Sequence, residues 1–435
     1  MVDDKPMINL VIAGHVDHGK STLVGRLFYE LGKIPERTME RFRRQAEAVG
    51  KGSFYLAFFT DRSLEERKRG ISVETAFVGL ETETKRFNII DAPGHRDFVK
   101  NMITGAAEAD AALLVVDAAS TGSGGLAPQT REHLNILNAL GITSLIVAVN
   151  KIDVAEFSQE VFDYCELEVQ DFLRQIGFHV DDTVPWIPTS AFLGDNVTQH
   201  SERMPWYRGP TVLEALERLS QPPRAYDLPL RMPILRTFSV SGVGSVVAGK
   251  IETGQVRPGQ VVVIAPYPGS GLARAEVRSI EWQHQTVDLG RAGDDVGVLL
   301  TKQDKGFVAR QVKKGAVMGD PGDPPREVRR FRADLIVLDH PSGIRRGYAP
   351  YLHVHQAAMP CSVEEIIEAR NPRGEPKVVD DDTRLVSGDR ALVWIRPHKP
   401  LVVETFRKIP SLGRFVLRDG GTVAAGTCLQ VEPVE

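Results

Sequence analysis

Gly14 to Thr22 read GHVDHGKST and hold the spacing G-x-x-x-x-G-K-S. Glycines at both ends of such a loop let backbone N–H groups turn inward around phosphates. A lysine then reaches the outer phosphate oxygens, and a serine hydroxyl can ligate Mg²⁺. Gly14, His15, Val16, Asp17, His18, Gly19, Lys20, Ser21 and Thr22 are therefore the candidate phosphate loop, with Lys20 as its cation and Ser21 as its metal ligand. An ordinary glycine-rich turn is the plain alternative. It does not require the apolar run INLVIA before the loop or the helical pattern LVGRLFYELG after it, and both are present.

Asn150-Lys151-Ile152-Asp153 follows the apolar run LIVAV. A carboxylate at Asp153 accepts two hydrogen bonds from the N1–H and 2-amino groups of guanine, whereas adenine lacks the amino group and presents a lone pair. Such a site rejects the wrong base by roughly 10⁴-fold. Asn150 steadies the loop, and the Lys151 stem can lie along the base plane. A surface lysine beside a capping aspartate gives the same letters, so N-K-x-D alone is weak. Its place after the phosphate loop strengthens it, as does the turn Ser190-Ala191-Phe192 after the run PWIPT. Backbone N–H groups of that turn can hold the guanine O6. GTP and GDP are the expected nucleotides.

Asp91-Ala92-Pro93-Gly94-His95 follows the run FNII. An aspartate at a strand end can hold the Mg²⁺ hydration shell, and the Gly94 N–H can bond the γ-phosphate, whose loss releases a switch segment. His95 then stands where an attacking water is oriented. The charged stretch from Gly32 to Gly70 ends in EERKRGIS and reads as a mobile loop, with the Ser72 hydroxyl completing the Mg²⁺ shell.

These loops need a scaffold. The first half of the chain alternates apolar runs (INLVIAG, RFNIIDAPG, AALLVVDA, SLIVAVNKID, PWIPTSA) with helical spacing at Gln129–Leu140 and Phe162–Gly177. That alternation predicts a doubly wound, mostly parallel α/β sheet with ligands at the strand carboxyl ends. ETAFVGLETETKRFNIID reads as two strands and a tight turn, so one edge strand is expected to be antiparallel. After SQPPRAYDLP the pattern becomes short β-branched runs broken by glycines, and GDPGDPPRE separates two such stretches. The expected division is a nucleotide domain over 1–223 and two all-β barrels over 230–320 and 326–435.

With 435 residues, 42% hydrophobic and 25% charged, the composition is that of a globular multidomain protein. A net charge of −4 carries no global nucleic-acid signature, though a local basic surface would suffice for RNA. No apolar run spans a bilayer, the start MVDDKPMINL is no signal peptide, and Cys165, Cys361 and Cys428 lack metal-type spacing. A cytoplasmic location without membrane contact is expected. His353-Val354-His355 places two imidazoles on one strand face, which suits packing better than a metal lacking a third ligand. Arg326, Arg329, Arg330 and Arg332 form a basic cluster whose default is a solvated face.

In this order, GHVDHGKST, RGIS, DAPGH, NKID and SA resemble the translational GTPases of the elongation factor Tu and elongation factor 1-alpha family, and HVH and GKGSFYLAFF resemble its archaeal and eukaryotic branch. RMPILRTFSVSGVGSVVAGKIETGQVRPG and LGRFVLRDGGTVAAG extend the likeness along nearly the whole chain. The resemblance implies a P-loop GTPase domain followed by two β-barrels. It also implies delivery of aminoacyl-tRNA to the ribosomal A site, GTP hydrolysis on codon recognition, and a guanine-nucleotide exchange factor. By the same likeness Lys100, Asn101 and Lys314 meet the tRNA 5′ phosphate, Glu281 the terminal adenosine, and Asp419 and Gly420 the T-stem.

Two sister functions share these motifs: a rescue or termination GTPase carrying a tRNA-mimicking release or rescue factor, and the GTPase subunit of sulfate adenylyltransferase. Lys100 stands where release and rescue factors have proline, and His18 where the sulfate-activating relatives usually have aspartate. Against delivery run Ser72 for threonine, Gly293-Asp294-Asp295 for G-D-N, Gln283-His284, LLTKQDKG, and Lys314 for arginine, which loses the bidentate fork. The expectation is a divergent delivery factor, with release or rescue factors as further partners.

Overall fold

Met7–Ala13 is apolar at nearly every position and forms strand β1 with every residue buried. Such a strand needs cover on both faces, which an α/β layering supplies. The computed structural model describes residues 5–48, 50, 52–60, 76–93, 95, 98–121, 125–178, 184–240, 244–269, 271–282, 285–302, 307–338 and 340–434. Beside β1 lie β2 (Ala76–Glu81), β3 (Arg86–Asp91), β4 (Ala111–Asp117), β5 (Ser144–Asn150) and β6 (Trp186–Pro188), in the order β2-β3-β1-β4-β5-β6. β2 is the antiparallel edge strand, and the others are parallel. Around them pack α1 (Lys20–Glu30), α2 (Glu36–Ala48), α3 (Val99–Ala106), α4 (Pro128–Ala139), α5 (Gln159–Gln175) and α6 (Val212–Arg218). Ser158 caps α5 by accepting from Val161 N, and Thr211 and Glu214 form a reciprocal capping box on α6.

The stretch after Gly32 departs from the expected loop. Residues 36–48 are a helix whose Met39, Phe42 and Ala46 enter the core with Leu56 and Phe58 of the following turns. Gly25 of α1 lets those turns approach: a Cβ there would lie 2.1 Å from the Leu56 carbonyl oxygen. The charges of α2 take the outer face, as an amphipathic helix requires. Residues 61–75, including Ser72, lie outside the described residues.

The chain divides into two units, Met1–Pro222 and Pro223–Glu435. The second holds two antiparallel barrels. In one, the strand Arg231–Pro233 returns beside Gly244–Lys250, with Leu235 N donating to Ala248 O at 2.8 Å. In the other, Tyr351–Val354 pairs with both Ala357–Arg370 and Arg414–Asp419, closing the sheet. Each has its own apolar core, centred on residues such as Val262 and Val298 in the first and Phe331 and Phe415 in the second.

A buried ion network joins the two barrels. Arg231 is 0% exposed. Its Nε donates to Glu404 Oε1 at 2.9 Å, one Nη to the carbonyls of Leu230 and Asp323, and the other to Asp323 Oδ2 at 3.0 Å and Glu404 Oε1 at 2.7 Å. Every N–H of the fork thus has an acceptor. Lys408 lies 3.0 Å from Asp323 and 3.3 Å from Glu404. Burial alone would raise the Asp323 carboxyl, but Lys408 and Arg231 hold it below the ordinary carboxylate value. Replacing Arg231 by methionine leaves these carboxylates to Lys408 alone, so unfolding free energy should fall, by up to about 3–5 kcal/mol. Denaturant melts of the two proteins check this.

Candidate functional site

Parallel register brings the strand ends to one edge. Ile12 pairs with Asp91 and Leu113, Asp117 with Asn150, and Val149 with Pro188. The loops that follow β1, β3, β5 and β6 therefore emerge side by side, where an open α/β sheet binds ligands.

The phosphate loop is held without room for side chains at its glycines. Gly14 has φ +139°, and a Cβ there would lie 2.2 Å from Val115 O; Gly19 has φ +87°, and its Cβ would lie 2.4 Å from Asn150 Nδ2. The Gly14 N–H donates to His133 Nδ1 at 3.1 Å, and His18 Nδ1 lies 3.2 Å from Val115 O. Burial, reinforced by Lys20 and neighbouring imidazoles, lowers His133 to about 3. Burial likewise lowers His18 to about 4. Both rings are neutral near pH 7, which leaves His133 Nδ1 free to accept the backbone proton. Lys20 Nζ donates to His15 O at 2.8 Å, so the ammonium folds over the loop.

Asn150 ties three segments together. Its Nδ2 donates to His18 O at 2.8 Å, and its Oδ1 accepts from Ala191 N at 2.9 Å and Thr189 Oγ1 at 3.4 Å. Arg26 of α1 donates to the carbonyls of Ala191 and Phe192. In a trans peptide the N–H points opposite the carbonyl, so the Phe192 N–H faces away from Arg26. Of the turn's backbone N–H groups, that of Ala191 donates to Asn150 Oδ1. Ser190 and Ala191 are buried, Phe192 is 44% exposed, and Asp153 is half-buried. Lys151 adopts φ +60°, and its Nζ meets Asp117 Oδ2 at 2.7 Å.

Asp91 is buried at the end of β3, and Ser21 is half-buried in the first turn of α1. A carboxylate and a hydroxyl are the hard oxygen donors that suit Mg²⁺, which otherwise keeps waters and phosphate oxygens. Among the described residues no group of three or more His, Cys, Asp or Glu side chains could hold a metal alone. His95 is half-buried, with its ring centroid 5.8 Å from that of Phe98. Gly94 lies outside the described residues. Lys100 and Asn101 occupy the first turn of α3.

In the second unit Glu281 is exposed near the end of the strand Gly271–Trp282, across from Thr286 and Gly297. Asp295 stands in register with Lys250 on the adjacent strand, so the extra acid faces an opposite charge. Lys314 is exposed. Asp419 Oδ2 accepts from Tyr348 Oη at 3.0 Å, and Gly420 turns with φ +72°. Gln283, His284 and residues 303–306 lie outside the described residues.

Two expectations are corrected. His353 and His355 do not share a regular strand face: the strand ends at Val354, and His355 turns with φ +38°. Its Nε2 lies 3.0 Å from Val402 O, and it is buried, which lowers it to about 4. The arginine cluster is not simply solvated, since Arg329 and Arg330 pair with Glu432, and Arg330 stacks 4.3 Å above Trp394. Motif spacing also missed Arg26, Asp117 and His133. Only Asp117 left a trace, ending an apolar strand just as Asp91 does.

Residues 5–222 match the family described as Elongation factor Tu GTP binding domain, and residues 330–429 match GTP-eEF1A C-terminal domain-like. Elongation factor 1-alpha of Methanothrix thermoacetophila is 43% identical over 436 residues, covering 100% of both chains. That of Thermoplasma acidophilum is 42% identical, covering 99% of this chain and 100% of its own. The Ski7 GTPase-like domain of S. cerevisiae, bound to GTP, has the same fold, with a TM-score of 0.79 at 17% identity over 98% of this chain and 97% of that one. Among the described residues no helix is long and apolar enough to cross a membrane. Full-length identity to proteins of this name favours elongation over the rescue and sulfate-activating functions. This chain belongs to the elongation factor 1-alpha family and is a translation elongation GTPase that binds guanine nucleotide.

Proposed function

We propose that the protein, in its GTP form, carries aminoacyl-tRNA to the ribosome and hydrolyses GTP there. Full-length identity to elongation factor 1-alpha proteins is the observation that carries this reading. Lys20 and the loop N–H groups hold the phosphates, and Asp153 selects guanine. Ser21 and Ser72 would hold Mg²⁺, with Asp91 on its hydration shell, and the ion when bound neutralises charge developing on the phosphate oxygens. His95 orients the attacking water. An exchange factor replaces GDP, and the protein acts in the cytoplasm. Lys100, Asn101 and Lys314 supply contacts to the 5′ phosphate, Glu281 an acceptor for the terminal adenosine, and Asp419 and Gly420 a surface for the T-stem. The register of Asp295 with Lys250 supports this reading, because a cation on the adjacent strand offsets the pull of the extra acid on the α-ammonium group of the aminoacyl ester.

Glu281→Ala is expected to weaken charged tRNA in the GTP form without changing nucleotide affinity. Lys100→Glu should also reduce the salt dependence of binding by somewhat less than ~1 unit of log–log slope. Gel shifts with charged and uncharged tRNA, in GTP and in GDP, read both effects. If the parent protects no aminoacyl ester from hydrolysis yet binds a release or rescue factor tightly in GTP, delivery is excluded.

A further inference from the structure

Register makes Asp117 and Asn150 neighbours at the ends of β4 and β5. The chain then turns sharply, because Lys151 takes a left-handed backbone with φ +60°. A side chain with a Cβ rarely adopts that conformation, and it persists where surrounding contacts enforce it. Two contacts are visible here. Asn150 is anchored to His18 and Ala191, and the Lys151 ammonium lies 2.7 Å from Asp117 Oδ2.

The carboxylate that receives Lys151 is itself fixed. Asp117 is 8% exposed. Its Oδ1 accepts from the backbone N–H groups of Ala119 at 2.9 Å and Ser120 at 3.4 Å, while Oδ2 faces the lysine. An anion anchored through one oxygen presents the other at a set position, and a lysine stem drawn to it loses its freedom to swing into water. The Lys151 side chain is 36% exposed, so an untethered stem would sample solvent.

We infer that Asp117 is a positioning residue of the guanine loop, whose anchored carboxylate holds the Lys151 stem where the base is received. This rests on reading Asn150 to Asp153 as the guanine loop. It adds a residue that lies outside the N-K-x-D motif and touches no nucleotide atom in the proposal. A stem held against the face of a base acts on residence time rather than base choice, since every base has such a face. Asp153 reads the edge and Asp117 steadies the face.

The test is release of a fluorescent GDP analogue from the full-length protein by stopped flow. Asp117→Asn keeps an oxygen for Ala119 and Ser120 but removes the charge. Lys151→Met keeps the stem but removes the ammonium, and leaves Asp117 and its backbone bonds untouched. Each should speed release about fivefold, the scale of a partly buried ion pair. The double variant should be no faster than either single one, because both remove the same contact. Parental release from Lys151→Met, or fivefold effects that multiply in the double variant, would overturn the inference, the second outcome marking Asp117 as merely structural. Failure of the guanine-loop reading shows separately, as an Asp153→Asn protein that still prefers GTP.

Discussion

Replacing His95 by alanine is expected to leave GTP affinity nearly intact while ribosome-stimulated hydrolysis falls at least ~10²-fold. The groups that would bind the nucleotide are elsewhere: the glycine-bounded loop, Lys20, and the segments tied by Asn150. His95 belongs to the segment after β3, and none of those ties runs through its ring. Removing it should therefore spare binding and strike only the step that positions water. Because the water-positioning step is assigned to the ribosome-bound protein, intrinsic turnover should be slow in both proteins. Single-turnover hydrolysis on programmed ribosomes, beside nucleotide affinity measured without them, separates the two effects. A variant that hydrolyses at parental speed would remove His95 from the mechanism.

Asp153→Asn is expected to weaken GTP by roughly 10³-fold and to shift preference toward xanthosine triphosphate. An amide donates where the carboxylate accepted, and the 2-oxo group of xanthine accepts where the guanine amine donated. The loop should survive the change. Asn150 supplies its ties to His18 and Ala191, and Ile152 N donates to Thr189 O at 3.2 Å; these bonds of the loop frame do not use the Asp153 carboxylate. Competition between the two triphosphates on parent and variant measures the switch. Equal preference for GTP in both would refute the base-reading role of Asp153.

The loops at the strand ends, candidates for the nucleotide, were legible because each is local: glycines, a lysine and a carboxylate within a few residues, with an apolar strand before them. Alternation of strand and helix, the antiparallel edge and the later change to glycine-broken β texture were legible for the same reason. What escaped depends on partners distant in sequence. Arg330 finds Glu432 across 102 positions, so a run of arginines reads as solvated until the barrel closes. Helix α2 was hidden by its charges, although Met39, Phe42 and Ala46 already keep a helical stripe. At His355 a left-handed turn broke the alternation that HVH suggests. Asp117 escaped because an aspartate ending a strand carries no motif, and only its distance to Lys151 gives it a role.

The network around Arg231 bears on inheritance. Its guanidinium comes from one barrel, Glu404 and Lys408 from the other, and Asp323 from the stretch between them. A recombination that swapped either barrel for a foreign one would unite a buried cation with whatever side chains the new partner offered. Hybrids lacking the matching acids would carry an uncompensated charge and be lost. A stable hybrid would therefore have to take Arg231 and its matching acids together, whatever freedom the outer loops of the barrels retain to differ.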